Sequence, residues 1–165
     1  MAFSHLALAA VAVASALARP GGGDHFVDRV LRAHNQPRAN LGLAPLAWND
    51  DLAADAAIWA RQLGRERKLE HERQHGEGEN LWMGTAGGFS YEQMVGSWAG
   101  ERAMYRHGLF PDVSTTGSWH DVGHYTQMVW RGTTEVGCAM AHDHGWDYLV
   151  CRYAPAGNWI GQRVY

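Results

Sequence analysis

Cysteine is scarce in this chain: there are two in 165 residues, Cys138 and Cys151. They are too far apart for the CxxC spacing common to redox pairs and many metal pairs. Net charge is also small, −3 with a pI near 6.3. That gives no electrostatic reason for nucleic acid or an anionic membrane as partner. The one long apolar run, Leu6 to Leu17, is too short to span a bilayer stably, and no later segment is apolar enough to do so. Repeats and low-complexity tracts are absent. No serine stands in a GxSxG elbow, which removes one common route to a nucleophile. What the chain does have is tryptophan, glycine and histidine, at 8, 20 and 10 residues. The first two imply an aromatic core tied together by tight turns. The third raises the prior for a metal site or a pH response. A length of 165 residues is that of one domain with a real core.

Residues 1–18 read as a secretory signal peptide. Ala16-Leu17-Ala18 supplies small residues at the two positions that determine cleavage, placing the cut after Ala18. Against this, the n-region holds His5 but no Lys or Arg. Residues 19–23, Arg-Pro-Gly-Gly-Gly, form a flexible lead-in to a single domain over 24–165. Export to an oxidising compartment lets Cys138 and Cys151 form one intrachain bridge, contributing about 3 kcal/mol on the chain-entropy model. The product is a secreted protein, extracellular or periplasmic, with no transmembrane segment.

A first helix is expected from about Asp24, ended or kinked by Pro37. A second starts after the cap Asn49, with Asp50 and Asp51 in its first turn. Leu52, Ala56, Trp59 and Leu63 form its apolar stripe and Gly64 closes it. A third opens at Ser90, with Gln93 completing a capping box, and runs to about Arg106. Strands are expected at Thr126–Trp130, Glu135–Met140 and Asp147–Tyr153. Helices followed by antiparallel strands give an α+β class.

Four residues stand out chemically. Met94, Trp98, Glu101 and Tyr105 share one face of the third helix, so Glu101 is a carboxylate aimed inward that needs a partner. Strand alternation puts His124 on one face with Thr126, Met128 and Trp130. His71 and Glu79 flank a glycine-rich loop that passes into Asn80-Leu81-Trp82. Two imidazoles and two carboxylates can hold a divalent metal such as zinc, serve as acid and base, or pair for stability alone. Spacing does not decide between these uses.

Gly123-His124-Tyr125-Thr126-Gln127-Met128-Val129-Trp130 closely resembles the first signature of the CAP superfamily, which groups cysteine-rich secretory proteins, antigen 5 and pathogenesis-related class 1 proteins. The segment from Tyr148-Leu149-Val150-Cys151-Arg152-Tyr153 to Asn158-Trp159 resembles the second. His34-Asn35 with Arg38, Gly78-Glu79-Asn80-Leu81, and Trp98 with Glu101 resemble the remaining motifs, in family order. Gly108 to Val122 looks like the bacterial branch. The resemblance implies a three-layer α-β-α sandwich with a central antiparallel sheet and a large cleft. It places the cleft residues at His71, Glu79, Glu101 and His124, able to hold a weakly bound zinc or other divalent ion. His75 is an alternative to His71. Glu72 stands where many relatives have Ser, adding charge beside the site or pointing to solvent. His107 and His120 flank a loop on the cleft side, and His142 and His144 read as solvated turn residues.

Three functions fit this reading. One is a monomeric extracellular binding module taking a lipid, sterol or peptide in its cleft. Another is a metal-dependent hydrolase using the same cleft. The third is a scaffold contacting partners through its loops. The cleft residues have no nucleophile beside them, which ranks binding above catalysis.

Overall fold

The computed structural model describes residues 23–73 and 76–165. The leader, its cleavage site, residues 19–22 of the lead-in and His75 lie outside the described residues. Helix α1 spans Gly23–Asn40, so Gly23 belongs to a helix rather than to the lead-in. Pro37 neither ends nor breaks it. The turn beyond Pro37 is held from outside, because the buried Arg38 guanidinium donates to four backbone carbonyls. These are Ala44 at 2.8 Å, Met128 at 3.0 Å, Trp130 at 2.9 Å and Thr133 at 3.0 Å. Tertiary bonds thus offset the helical bond that proline cannot make.

Helix α2, Asp50–Glu66, begins as expected. Asn49 Oδ1 accepts from the amides of Asp51 at 2.9 Å and Leu52 at 3.1 Å, and the Leu52, Ala56, Trp59, Leu63 stripe is buried. Gly64 does not close it. The helix runs on to Glu66, and Arg67 makes the left-handed cap at φ 54°. Gly64 is needed for space, since a Cβ there would lie 2.8 Å from Asp143 Cβ. Helix α3, Tyr91–Gly100, starts with the Ser90/Gln93 capping box but stops short of Arg106. A 3-10 turn over Glu101–Met104 follows, and Tyr105 is extended.

The sheet comprises β1 (Ala47–Trp48), β2 (Gly78–Thr85), β3 (Glu135–Asp143) and β4 (Trp146–Ala154), in the order β1-β3-β4-β2. The β3–β4 and β4–β2 pairs are antiparallel, while the two-residue β1 runs parallel to β3. Two of the three expected strands are present. Thr126–Trp130 is not a strand: α4 occupies Gly123–Met128, and every residue from Tyr125 to Trp130 is buried. With side chains buried on all sides, Thr126 and Gln127 included, residue alternation carries no information about periodicity there. Conversely, Gly78–Thr85, which contains Asn80-Leu81-Trp82, is an edge strand that was not among those expected.

Alternation along β4 builds two cores. Tyr148 and Val150 face α2, where Ala56, Trp59, Ala60 and Leu63 pack with Leu81. Leu149, Cys151 and Tyr153 face the opposite layer, against Val30, Met94, Val95, Trp98, Tyr125 and Met128 of α1, α3 and α4. This is the expected α-β-α sandwich. Cys138 and Cys151 stand opposite each other in the β3–β4 register and form a disulfide. No helix among the described residues is long and apolar enough to cross a membrane.

Candidate functional site

Glu101 sits at the C-terminal end of α3, where the turn toward Tyr105 aims its carboxylate at the start of α4. Oε1 accepts from His124 Nδ1 at 2.6 Å, and Oε2 accepts from the amides of His124 and Tyr125, both at 3.0 Å. The partner that the inward carboxylate needed is therefore the exposed amide end of α4 together with an imidazole. Trp98 stacks on that imidazole, with ring centroids 5.9 Å apart and planes 20° from parallel. The His124 backbone is also held from its other side, since Asn80 Nδ2 donates to His124 O at 3.1 Å. Asn158, left-handed at φ 59°, donates through Nδ2 to Gly123 O at 2.9 Å.

A second imidazole–carboxylate pair lies at the start of β2. Glu79 Oε1 accepts from His71 Nδ1 at 2.6 Å and from the Glu72 amide at 3.2 Å. Its other oxygen lies 3.2 Å from the Arg152 guanidinium without a well-directed hydrogen bond. Arg152 is directly opposite Glu79 in the β2–β4 register and also pairs with Glu72. Glu72 thus neither faces free solvent nor adds an uncompensated charge.

Carboxylates only accept, so Nδ1 of both His71 and His124 carries the proton that is donated. Nε2 of each ring has no hydrogen-bond partner among the described residues. Both rings line one cavity of about 440 Å³. Polar Glu79, Asn80, His120 and Asn158, with Gly123 and apolar Phe110, Pro111, Trp119 and Ile160, complete its lining. Glu101 stands behind His124 rather than at the cavity surface.

Sequence reading missed several participants. Arg152 became a site residue only once β2 was known to be a strand, and Asn80 only once it was seen to grip α4. Trp119 was read with the core tryptophans, yet it lines the cavity with His120 stacked on it, centroids 3.9 Å apart. His107 packs against Tyr105 and Tyr165 instead, away from the cavity lining. His142 and His144 are exposed at the β3–β4 turn, with His142 Nδ1 donating to Asp147 at 3.0 Å.

Beneath the site runs a buried relay. His34 Nδ1 donates to Val30 O at 2.8 Å, and its Nε2 accepts from the Tyr153 hydroxyl at 2.8 Å. That hydroxyl accepts in turn from Asn80 at 3.0 Å. Burial pushes the His34 imidazole down to about 4 and the Tyr153 phenol well up. His34, Cys138 and Cys151 also bring potential ligand atoms within 4.8 Å of one another. They do not form a metal centre here, since the sulfurs are joined as a disulfide and both ring nitrogens are engaged.

The comparisons agree with this architecture. The family model described as "CAP: Cysteine-rich secretory protein family" matches residues 31–153. Pathogenesis-related protein 1C of Nicotiana tabacum is 40% identical over 137 residues, covering 82% of this chain and 78% of the relative. The crystal structure of NaASP2 with Zn2+ has a TM-score of 0.71 at 28% identity, covering 84% of this chain and 83% of that one. BmVAL-1 shares the fold with a TM-score of 0.72 at 23% identity, covering 90% of this chain and 86% of its own. The bacterial affinity read from Gly108 to Val122 is not supported, because the similar curated relatives are plant proteins. That stretch is shaped partly by local packing: a Cβ at Gly108 would fall 2.2 Å from Asp112 O. The chain belongs to the CAP family, the cysteine-rich secretory proteins.

Proposed function

We propose that this protein is a secreted, monomeric binding module whose cleft holds a weakly bound divalent metal, zinc for example, and receives a small ligand. The observation that carries this reading is the pairing of each cavity-lining imidazole, through Nδ1, with a carboxylate. Metal-ligating histidines use such a partner to fix the ring and its tautomer, leaving Nε2 for the ion. His71 and His124 would hold the metal, with Glu79 and Glu101 orienting them from behind. The donor set suits zinc, and two protein ligands leave further positions for water or ligand, consistent with weak binding. Zinc in the NaASP2 crystal structure supports the reading at the level of family likeness.

Secretion rests on the leader read from residues 1–18 and on the kinship with secretory proteins. A lipid, sterol or peptide is a reasonable occupant of a cavity whose lining includes Phe110, Pro111, Trp119 and Ile160. Titration calorimetry with zinc on the parent protein and on the His71→Ala, His124→Ala double variant tests the metal reading. The parent should bind one ion and the double variant none, while unchanged affinity would move the metal elsewhere. Reproducible hydrolysis of peptides or esters, lost with the same variant, would favour a metal-dependent hydrolase instead.

A further inference from the structure

Strand β3 is covered along its outer edge only at its beginning. The two-residue β1 pairs with Glu135 and Val136 and ends there. Asn49 N–H donates to Val136 O at 3.0 Å, so the Val136 backbone groups point away from β4. The β3–β4 register runs unbroken from Glu135 to Asp143. Alternation therefore turns the N–H and C=O of Met140 and His142 to the same outer side. No other backbone group among the described residues bonds to them there. Both residues are exposed, Met140 at 38%. An open edge of this kind is a template for pairing with another chain.

The helix beside the edge is basic. Ala139 and Ala141 pack toward α2. Arg61 and Arg65, one turn apart on that helix, line a groove of about 190 Å³ with Ala141, His142 and Asp143. The neighbouring Glu66 is taken by Gln62 at 3.0 Å and by Lys68 at 4.0 Å. Asp143, the one carboxylate of the groove, is engaged as well. Arg67 only donates, so His144 Nδ1 accepts from it at 3.2 Å, and the proton on Nε2 faces Asp143 Oδ1 at 3.4 Å. Arg67 thereby offsets Asp143 through an imidazole. The charges left over at the groove are the guanidiniums of Arg61 and Arg65.

We infer that this edge takes an extended segment of a partner protein carrying an acidic residue. The segment pairs with Met140 and His142 as an added antiparallel strand. Its Asp or Glu stands opposite Ala141, on the α2 face, with the carboxylate between Arg61 and Arg65. The residues before and after that acid point to the other face, beside the exposed Met140, where apolar side chains fit. The surface shares no residue with the cleft and does not depend on the metal reading.

The probe is the peptide acetyl-Thr-Val-Glu-Val-Thr-amide, titrated into isotope-labelled protein and followed by NMR. Binding should slow hydrogen exchange at the Met140 and His142 amides. A peptide with Lys in place of Glu should bind at least tenfold more weakly. So should the parent peptide N-methylated on both valines, which can no longer donate to the edge. Arg61→Ala and Arg65→Ala, at exposed helical positions, should each weaken binding about threefold and the double variant about tenfold, with the fold retained. No binding, binding without protection of those two amides, or affinity indifferent to the arginines would each overturn the inference. Self-association of the protein alone that protects the same amides would assign the edge to a second copy and overturn it too. Self-association gained by the double variant, with peptide binding unchanged, would make the arginines guards of the edge and not a recognition site.

Discussion

At Glu101 one carboxylate accepts three hydrogen bonds, from the His124 imidazole and from two amides at the start of α4. Glu101→Gln keeps the size but turns an amide nitrogen toward donors, so stability should fall by roughly 1–3 kcal/mol. Thermal denaturation checks this. A variant at least as stable as the parent, beside measurable turnover in the parent, would mark Glu101 as a catalytic base instead. The glutamate's inward aim was legible in the sequence, because helical spacing set it beside Met94 and Trp98. The resemblance set His124 in the same cleft, but the amides of His124 and Tyr125 were not legible as partners, since the segment that follows was read as a strand.

His34 sets a second expectation at this scale. Its imidazole titrates near 4 in the folded protein, pushed down by burial, and near 6.5 when unfolded. Between those values the unfolded chain binds the extra proton, so stability is present in full above about pH 6.5 and is lost as pH falls toward 4. The loss is on the order of 3 kcal/mol. Denaturant titrations across this range should show it, and His34→Gln should flatten the dependence whatever its effect at neutral pH. An equally steep profile in the variant would move the acid sensitivity to other groups.

Among the elements, those with local signals were legible and those defined by distant contacts were not. Asn49 and the Ser90/Gln93 box act within a few residues of the amides they satisfy, so the sequence alone located both helix starts. Helix α4 has only six residues, Gly123–Met128, among them Tyr125 and Thr126, types that also favour strands. Its start is held by distant residues: Glu101 accepts from the His124 and Tyr125 amides, and Asn80 and Asn158 donate to the His124 and Gly123 carbonyls. The end of α2 was misplaced for a related reason: Gly64 serves the approach of Asp143, far along the chain. Gly137 makes the same point in β3. A Cβ there would fall 2.3 Å from Ala53 N and 2.4 Å from Asn49 O, backbone atoms that cannot swing aside. Gly137→Ala should therefore destabilise by about 1–3 kcal/mol, as overpacking does. A melting temperature unchanged by the substitution would contradict such close packing of α2 on β3.

For the whole molecule, the motifs in family order gave the sandwich, because the resemblance covered nearly the entire chain; of the four residues it named, His71, Glu79 and His124 line the cavity and Glu101 stands behind His124. The place of Phe110 and Ile160 in the cavity lining stayed hidden, since their loops are joined by long-range backbone bonds between Phe110 and residues 161–162. The export reading is checked by intact mass. Protein from its native compartment should begin at Arg19 and be two hydrogens lighter than the reduced chain. Reduction of Cys138–Cys151 should cost about 3 kcal/mol. A retained leader or two free thiols in that sample would contradict export to an oxidising compartment.

The central claim is that His71 and His124 together hold a divalent ion, so an anomalous difference map at the zinc edge tests it most directly. In crystals soaked with zinc near pH 7.5, one peak should lie between the two Nε2 atoms, with Glu79 and Glu101 behind the rings. A peak at His142 and His144 or at His107 and His120, with none between His71 and His124, would contradict the account.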